Sequence, residues 1–327
     1  MKGVVPVVSR KAQRGKEKMK NIEKLIEVAK QHDITVTESS KIVINRGECK
    51  TYIFEKAGCN SRPSMLEYVI EEADYDELEA AFFECILPSC ENEKIKAFQD
   101  DAKATLHEYL QRGEIMPSVV NTEANEEYLR DLVCRNVMDL SLVYRIVVSE
   151  EEGLDLILIT KDMLEEAGLT EGQLFERAKE YVMKNMRMRS FFEILCDDNC
   201  FNEPEEILFS DIRESDPVII VSYKEKINGG AILAMAAEDA DILSGLRKEF
   251  PIVLLPSSIH EMLVYRGKDD YRKLETFSSI VEEVNTREVL PEEMLSNSVY
   301  LLNPETGKVE LAIKGNPLAN CIDREIA

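Results

Sequence analysis

Histidine is scarce in this chain, with three among 327 residues: His32, His107 and His260. None of them stands in an HExxH or His-x-His spacing, so no histidine-rich metal centre is expected. The 14 glycines include no GxxxxGK[ST] and no GxGxxG, the loops that bring backbone N–H groups up to phosphates. No GxSxG elbow is present either. Basic residues are outnumbered, with 40 Lys and Arg against 63 Asp and Glu, for a net charge of −23. A phosphate backbone is bound by an excess of cations, so general nucleic-acid binding is not expected. No run approaches the roughly 20 apolar residues that cross a bilayer, and no apolar stretch follows the N-terminal charges as it does in a secretory signal. The eight cysteines lie at 49, 59, 85, 90, 134, 196, 200 and 321. Scattered in this way and without a signal peptide, they read as reduced thiols of a cytoplasmic protein.

What is present is an ordinary folded composition, 44% hydrophobic and 31% charged. A chain of 327 residues suggests about two domains. The first twenty residues oppose the overall charge. Lys2, Arg10, Lys11, Arg14, Lys16, Lys18 and Lys20 face only Glu17, a local +6 that leaves −29 for the remainder. A helical pattern starts at Met19, which makes residues 1–18 a disordered basic extension. The rest is expected to divide into an N-terminal region (19–113), a C-terminal domain (123–313) and a loose tail (314–327).

Ile22, Leu25, Ile26 and Ala29 recur at helical spacing, followed by three β-rich runs at 34–37, 41–45 and 51–55. Asn45-Arg46-Gly47 suits the turn between the last two. Ser64 with Glu67 fits a capping box, and Pro88 is expected to break the helix that follows. A long helix is expected over 91–111, closed by Gly113, and Pro117 marks 114–122 as a linker. From Met138 to Val148 every second residue is apolar, the pattern of a half-buried strand, with a return strand at 154–159. Gly168 then closes one helix, and Thr170 with Gln173 opens the next as a capping box, with Leu169 and Leu174 as its staple. Val218 to Val221 reads as a strand. Asn228-Gly229 reads as a hairpin turn into a strand at 231–235, with a helix at 237–249. An amphipathic helix over 271–284 and a final hairpin around 303–307 complete the pattern. The succession of hairpins and helices lacks strand–helix–strand alternation. The fold expected is α+β, a mainly antiparallel sheet built from hairpins with flanking helices, preceded by a smaller helical and meander N-terminal region.

Residues 253–266, VLLPSSIHEMLVYR, form two apolar runs around a polar corner. Pro256 suits a strand end, and Ser257 and Ser258 suit a turn. Ser258, His260 and Glu261 are the candidate catalytic residues, as nucleophile and base. Glu261, one residue beyond His260 on a strand, would point to the opposite face and could not orient it. The competing reading is a corner shaped by its serines. Cys196 and Cys200 form a pair without the second pair that a zinc ribbon needs. Asp139 and Asp155 lie on facing hairpin strands without the lysine of a nuclease. No cofactor and no metal are expected.

LPSSIHE at 255–261, EEVN at 282–285, LPEEMLSNSVY at 290–300 and ITKDMLEEAGLTEGQLFERAKE at 159–180 resemble an uncharacterised bacterial domain-of-unknown-function family. The resemblance covers about residues 127–313 and implies no reaction or ligand. Two functions of different class remain. One is a cytoplasmic binding or adaptor protein without catalysis, with an unknown protein as partner and no membrane. The alternative is a hydrolase-like enzyme centred on Ser258 and His260.

Overall fold

The computed structural model describes residues 18–58, 62–91, 102–149, 155–191 and 216–322. The expectations for residues 1–17, for the start of the long helix and for Cys196 and Cys200 lie outside these. The fold is α+β with antiparallel sheets, in two compact units: Met1–Lys41 with Glu48–Thr105, and Ile42–Gly47 with Leu106–Ala327.

In the first unit, α1 (Lys18–Gln31) is followed by β1 (Ile34–Val43), β2 (Gly47–Lys56) and the short β3 (Ser64–Leu66), in the order β1-β2-β3. The two runs expected at 34–37 and 41–45 are one continuous strand. Leu25 and Ala29, four apart on one helix face, are fully buried with Ile34, Phe54, Ile70, Leu78 and Phe82. Ser64 caps no helix, because it lies in β3, paired with Ile53. The helix α2 (Glu67–Glu72) starts without a side-chain cap. Pro88 does not break α3 (Tyr75–Ala81). One π-turn, Phe82–Ile86, carries the chain into α4 (Leu87–Glu91), and the Leu87 N–H reaches back five residues to the Phe82 carbonyl. The wider turn shifts the hydrogen-bond register ahead of a residue that has no N–H to give.

The second unit continues α5 (Ala102–Arg112) into β4 (Ile115–Asn121). The stretch expected as a linker is thus a core strand. Ile115, Met116, Val119 and Val120 are buried, and Pro117 is tolerated because β4 is an edge of its sheet. Beyond α6 (Glu126–Leu129) come β5 (Cys134–Val137), β6 (Leu140–Ser149) and β7 (Asp155–Leu158), with β4 along one side of β6 and β5 and β7 also paired with it. Met138, expected in the strand, sits instead in the turn before it at φ 58°. The strand is also buried on both faces, since Ser141 and Val143 are as enclosed as Leu140, Leu142 and Tyr144.

The helices α7 (Lys161–Ala167) and α8 (Glu171–Asn185) meet at Gly168, which has a φ of 64°. Thr170 and Gln173 form the expected capping box, with the Thr170 N–H donating to Gln173 Oε1 at 2.8 Å. Next come β8 (Met186–Ser190), β9 (Val218–Tyr223), α9 (Ala231–Glu238), β10 (Ile252–Pro256), β11 (Glu261–Tyr265), α10 (Leu274–Arg287), β12 (Val299–Leu302), β13 (Val309–Ile313) and α11 (Ala319–Ile322). Six of these strands form one antiparallel sheet, in the order β13-β12-β10-β11-β9-β8.

The expected strand at 231–235 is a helix, α9, and the hairpin at Asn228-Gly229 is its approach. Ala231 to Ala236 have no exposed surface, and α9 packs against β4, β5 and β6 of one sheet and β13 of the other. A helix apolar all round is a buried helix. The second expected helix, 237–249, is absent because Asp239 Oδ1 takes the Asp241 N–H at 2.9 Å and turns the chain. Ile242, Leu243 and Leu246 are buried even so. On the other face of the six-stranded sheet, Phe277 and Val281 of α10 meet Val253, Leu255 and Val299. Ile252 and Leu254, which alternate with these along β10, join the core around α9. The strand is apolar at every position because both its faces are covered. Ile280 and Val284, expected inward on α10, are exposed. The segment after Lys314 is not loose as far as residue 321, since Leu318 and Cys321 are buried against Met294.

Candidate functional site

The corner between β10 and β11 has the expected strand–turn–strand form, with Pro256 opposite Met262 as the last pair of the ladder. Every backbone N–H from 257 to 260 is engaged. Those of Ser257 and Ser258 donate to the Glu261 carbonyl at 3.2 and 3.3 Å, and that of Ile259 donates to the Glu293 carbonyl at 2.9 Å. The His260 N–H donates to Ser258 Oγ at 3.0 Å, the local bond through which serine shapes turns.

Ser258 and His260 are therefore together, but through the histidine backbone. The ring has other neighbours. Its Nδ1 accepts the Asn228 N–H at 3.2 Å, and its Nε2 lies 3.5 Å from Glu293 Oε1. Since Nδ1 is an acceptor, the neutral ring carries its proton on Nε2, towards the carboxylate. Glu261 does not orient the ring, as expected from its place on the strand. It accepts the Ser257 hydroxyl at 3.3 Å.

Three turns converge here, carrying residues 226–230, 256–261 and 290–294. Gly229 and Gly230 permit the approach. A Cβ on Gly229 would lie 2.5 Å from the His260 carbonyl oxygen, and one on Gly230 would lie 2.8 Å from that of Ser258. The Gly230 N–H donates to the Ile259 carbonyl at 3.0 Å. The third turn is anchored in addition by Asn45, whose side-chain amide donates to the carbonyls of Pro291 and Met294, both at 2.7 Å. Asn45 and Asn125 bond reciprocally, at 2.8 and 2.6 Å, and Arg46 pairs with Glu292 at 3.0 Å.

A second polar cluster follows along LSNSVY. Asp139 accepts the hydroxyls of Ser296, Ser298 and Tyr300 at 2.7, 2.8 and 2.8 Å. Burial pushes the Tyr300 phenol well above its ordinary range, and the adjacent Asp139 carboxylate adds to that shift. Asn285, the last residue of EEVN, donates to the Ser296 carbonyl and to Asn297 Oδ1 at 3.1 and 2.8 Å. Asp139, considered above as part of an acidic pair with Asp155, has hydroxyl partners instead. Among the described residues, no group of three or more His, Cys, Asp or Glu could hold a metal, and no helix is long and apolar enough to cross a membrane.

The sequence reading missed Asn228, Glu293 and the Asp139 hydroxyl set. The resemblance could have found part of this set, because LPEEMLSNSVY holds Glu293, Ser296, Ser298 and Tyr300, whereas Asn228 and Asp139 lie outside the motifs. A model of a family of unknown function, DUF5688, matches residues 16–303. The chain belongs to this family. The match takes in the whole N-terminal region (19–113) as well, where the resemblance read from the motifs began only near residue 127. No curated protein and no solved structure matches the chain.

Proposed function

We propose that this member of DUF5688 is a non-catalytic binding or adaptor protein of the cytoplasm, acting on a protein partner, and that the Ser258/His260 corner is a junction of the fold. One observation carries this reading: the corner's polar groups are spent on one another. A serine hydrolase needs an imidazole nitrogen facing the nucleophile and free N–H groups to receive an oxyanion. Here Nδ1 faces the Asn228 N–H and Nε2 faces Glu293. The four N–H groups of residues 257–260 all have acceptors within the protein.

The hydrolase reading has one observation in its favour, the His260–Glu293 pair, since a carboxylate beside an imidazole is a familiar means of orienting a base. A fluorophosphonate probe separates the two readings. No labelling of Ser257 or Ser258 is expected at neutral pH. Stoichiometric labelling that disappears in His260→Ala would overturn the binding reading, because only a base-activated serine reacts in that way.

A further inference from the structure

We propose that His260 is a proton-sensitive latch: neutral, it holds the turn of residues 224–230 against the corner through the Asn228 N–H, and protonated, it releases that turn. The latch rests on the reading of His260 as a tie and not as a base. Its geometry is specific. The Asn228 N–H can donate to Nδ1 only while that nitrogen keeps its lone pair. Protonation places a second N–H there, so that two donors face each other and the bond is lost. The other nitrogen responds in the opposite sense, because Nε2–H already faces Glu293 and the charged ring gains an ion pair on that side. The ring is about one-third exposed, at 32%, so protons reach it from solvent.

The turn is poised to respond. Lys226 and Asn228 have φ values of 59° and 55°, in the left-handed region that costs energy for residues with a Cβ. Its ties to the corner are the Asn228 bond and the Gly230 N–H to the Ile259 carbonyl. Losing the first leaves the Gly230 bond as the tie to the corner, while the Asn228 side-chain amide stays on Met116 Sδ at 3.6 Å and the Lys226 N–H on the Tyr223 carbonyl at 3.0 Å. The charged groups around the ring are few in kind. Glu293 faces it from the 290–294 turn, where the neighbouring Glu292 is paired with Arg46. Glu261 follows it on β11 with its carboxylate on the Ser257 hydroxyl. Lys224, Glu225 and Lys226 lie on the turn itself, with Lys224 paired to Glu225 at 3.3 Å. The turn leads directly into α9, the helix between the two sheets, so its release loosens the entry to the core of the unit.

Selective ¹⁵N labelling of histidine in the full chain gives three ring systems to resolve, since the sequence holds three histidines. A backbone-labelled sample reports the Asn228 and Gly230 amides. At pH 8 the His260 ring should be the Nε2–H form. Titration towards pH 5 spans the range in which histidine charge ordinarily changes. Over it, exchange protection of the Asn228 amide, corrected for intrinsic rate, should fall roughly tenfold, as for loss of one hydrogen bond. Gly230 should keep its protection. In His260→Gln, Asn228 should show no such pH response. An Nδ1–H ring at pH 8, an Asn228 amide indifferent to pH, or a response that persists in His260→Gln would overturn the latch. Loss of the latch without serine labelling removes this inference alone, whereas His260-dependent labelling of Ser258 removes the reading beneath it.

Discussion

The first unit closes over Leu25, Ala29, Ile34, Phe54, Ile70, Leu78 and Phe82, and among the described residues Thr51 is its buried polar side chain, bonded to the Met65 carbonyl at 2.9 Å. The second unit buries Asn45, Asn125, Asn228, Asn285, Ser296, Asn297 and Ser298 as well as an apolar core. Most of these join turns far apart in sequence, as Asp139 and Ser298 do across 159 residues. Apolar burial drives collapse but is non-directional, whereas a buried polar group is tolerated only with its own partner in place. The second unit therefore gains a unique arrangement of turns from its asparagines and serines, and depends on them. The first unit depends on volume.

The largest expected effect that would sharpen this contrast is alkaline unfolding. Burial first, with neighbouring carboxylates adding, raises the phenols of Tyr144, Tyr223 and Tyr300 in the second unit. Their folded pKa values lie above the unfolded value. The stability they contribute is full below about pH 10, where a free tyrosine titrates. It is lost above that pH, because only the unfolded chain ionises there. Circular dichroism of the chain across pH 8 to 12 should show folded signal lost beyond about pH 10; a flat profile would show that the buried phenols contribute no such stability. Next, Leu142→Ala, at a fully buried position of β6, should cost about 2–5 kcal/mol by urea unfolding. Asp139→Ala leaves three hydroxyls without their acceptor and should cost about 2–4 kcal/mol, since bonds to a charged group are each worth about 1.5–3 kcal/mol and do not add fully. The matching change in the first unit, Thr51→Ala, should cost about 0.5–1.5 kcal/mol. Equal losses for Asp139→Ala and Thr51→Ala would remove the distinction between the units.

What was legible in the sequence follows the same division. Local chemistry could be read where partners are close along the chain: the Thr170–Gln173 box, the Gly168 cap, the alternation along β6 and the Pro256 corner. It could not be read where the decisive neighbour is remote. The apolar run of α9 has no amphipathic period, because both sheets cover it, and so it passed for a strand. Pro117 reads as the mark of a linker, because nothing nearby shows that β4 is an edge strand on Leu140–Ser149. Pro88 looked like a helix end because a π-turn leaves no residue signature of its own. At the corner, Ser258, His260 and Glu261 were seen as a group. The partners that decide the use of the ring, Asn228 and Glu293, lie 32 residues before it and on a separate turn after it.

The most direct test of the corner as a junction is native-state hydrogen exchange at the amides of Ile259 and Gly230, which donate to the Glu293 and Ile259 carbonyls. If the three turns are locked as one piece, these amides open only when the unit unfolds. Their exchange free energies should then match those of core amides in β6 such as Leu142 and Tyr144. Fast exchange at Ile259 and Gly230, through local openings that leave β6 protected, would show a separable loop at the corner and contradict the account.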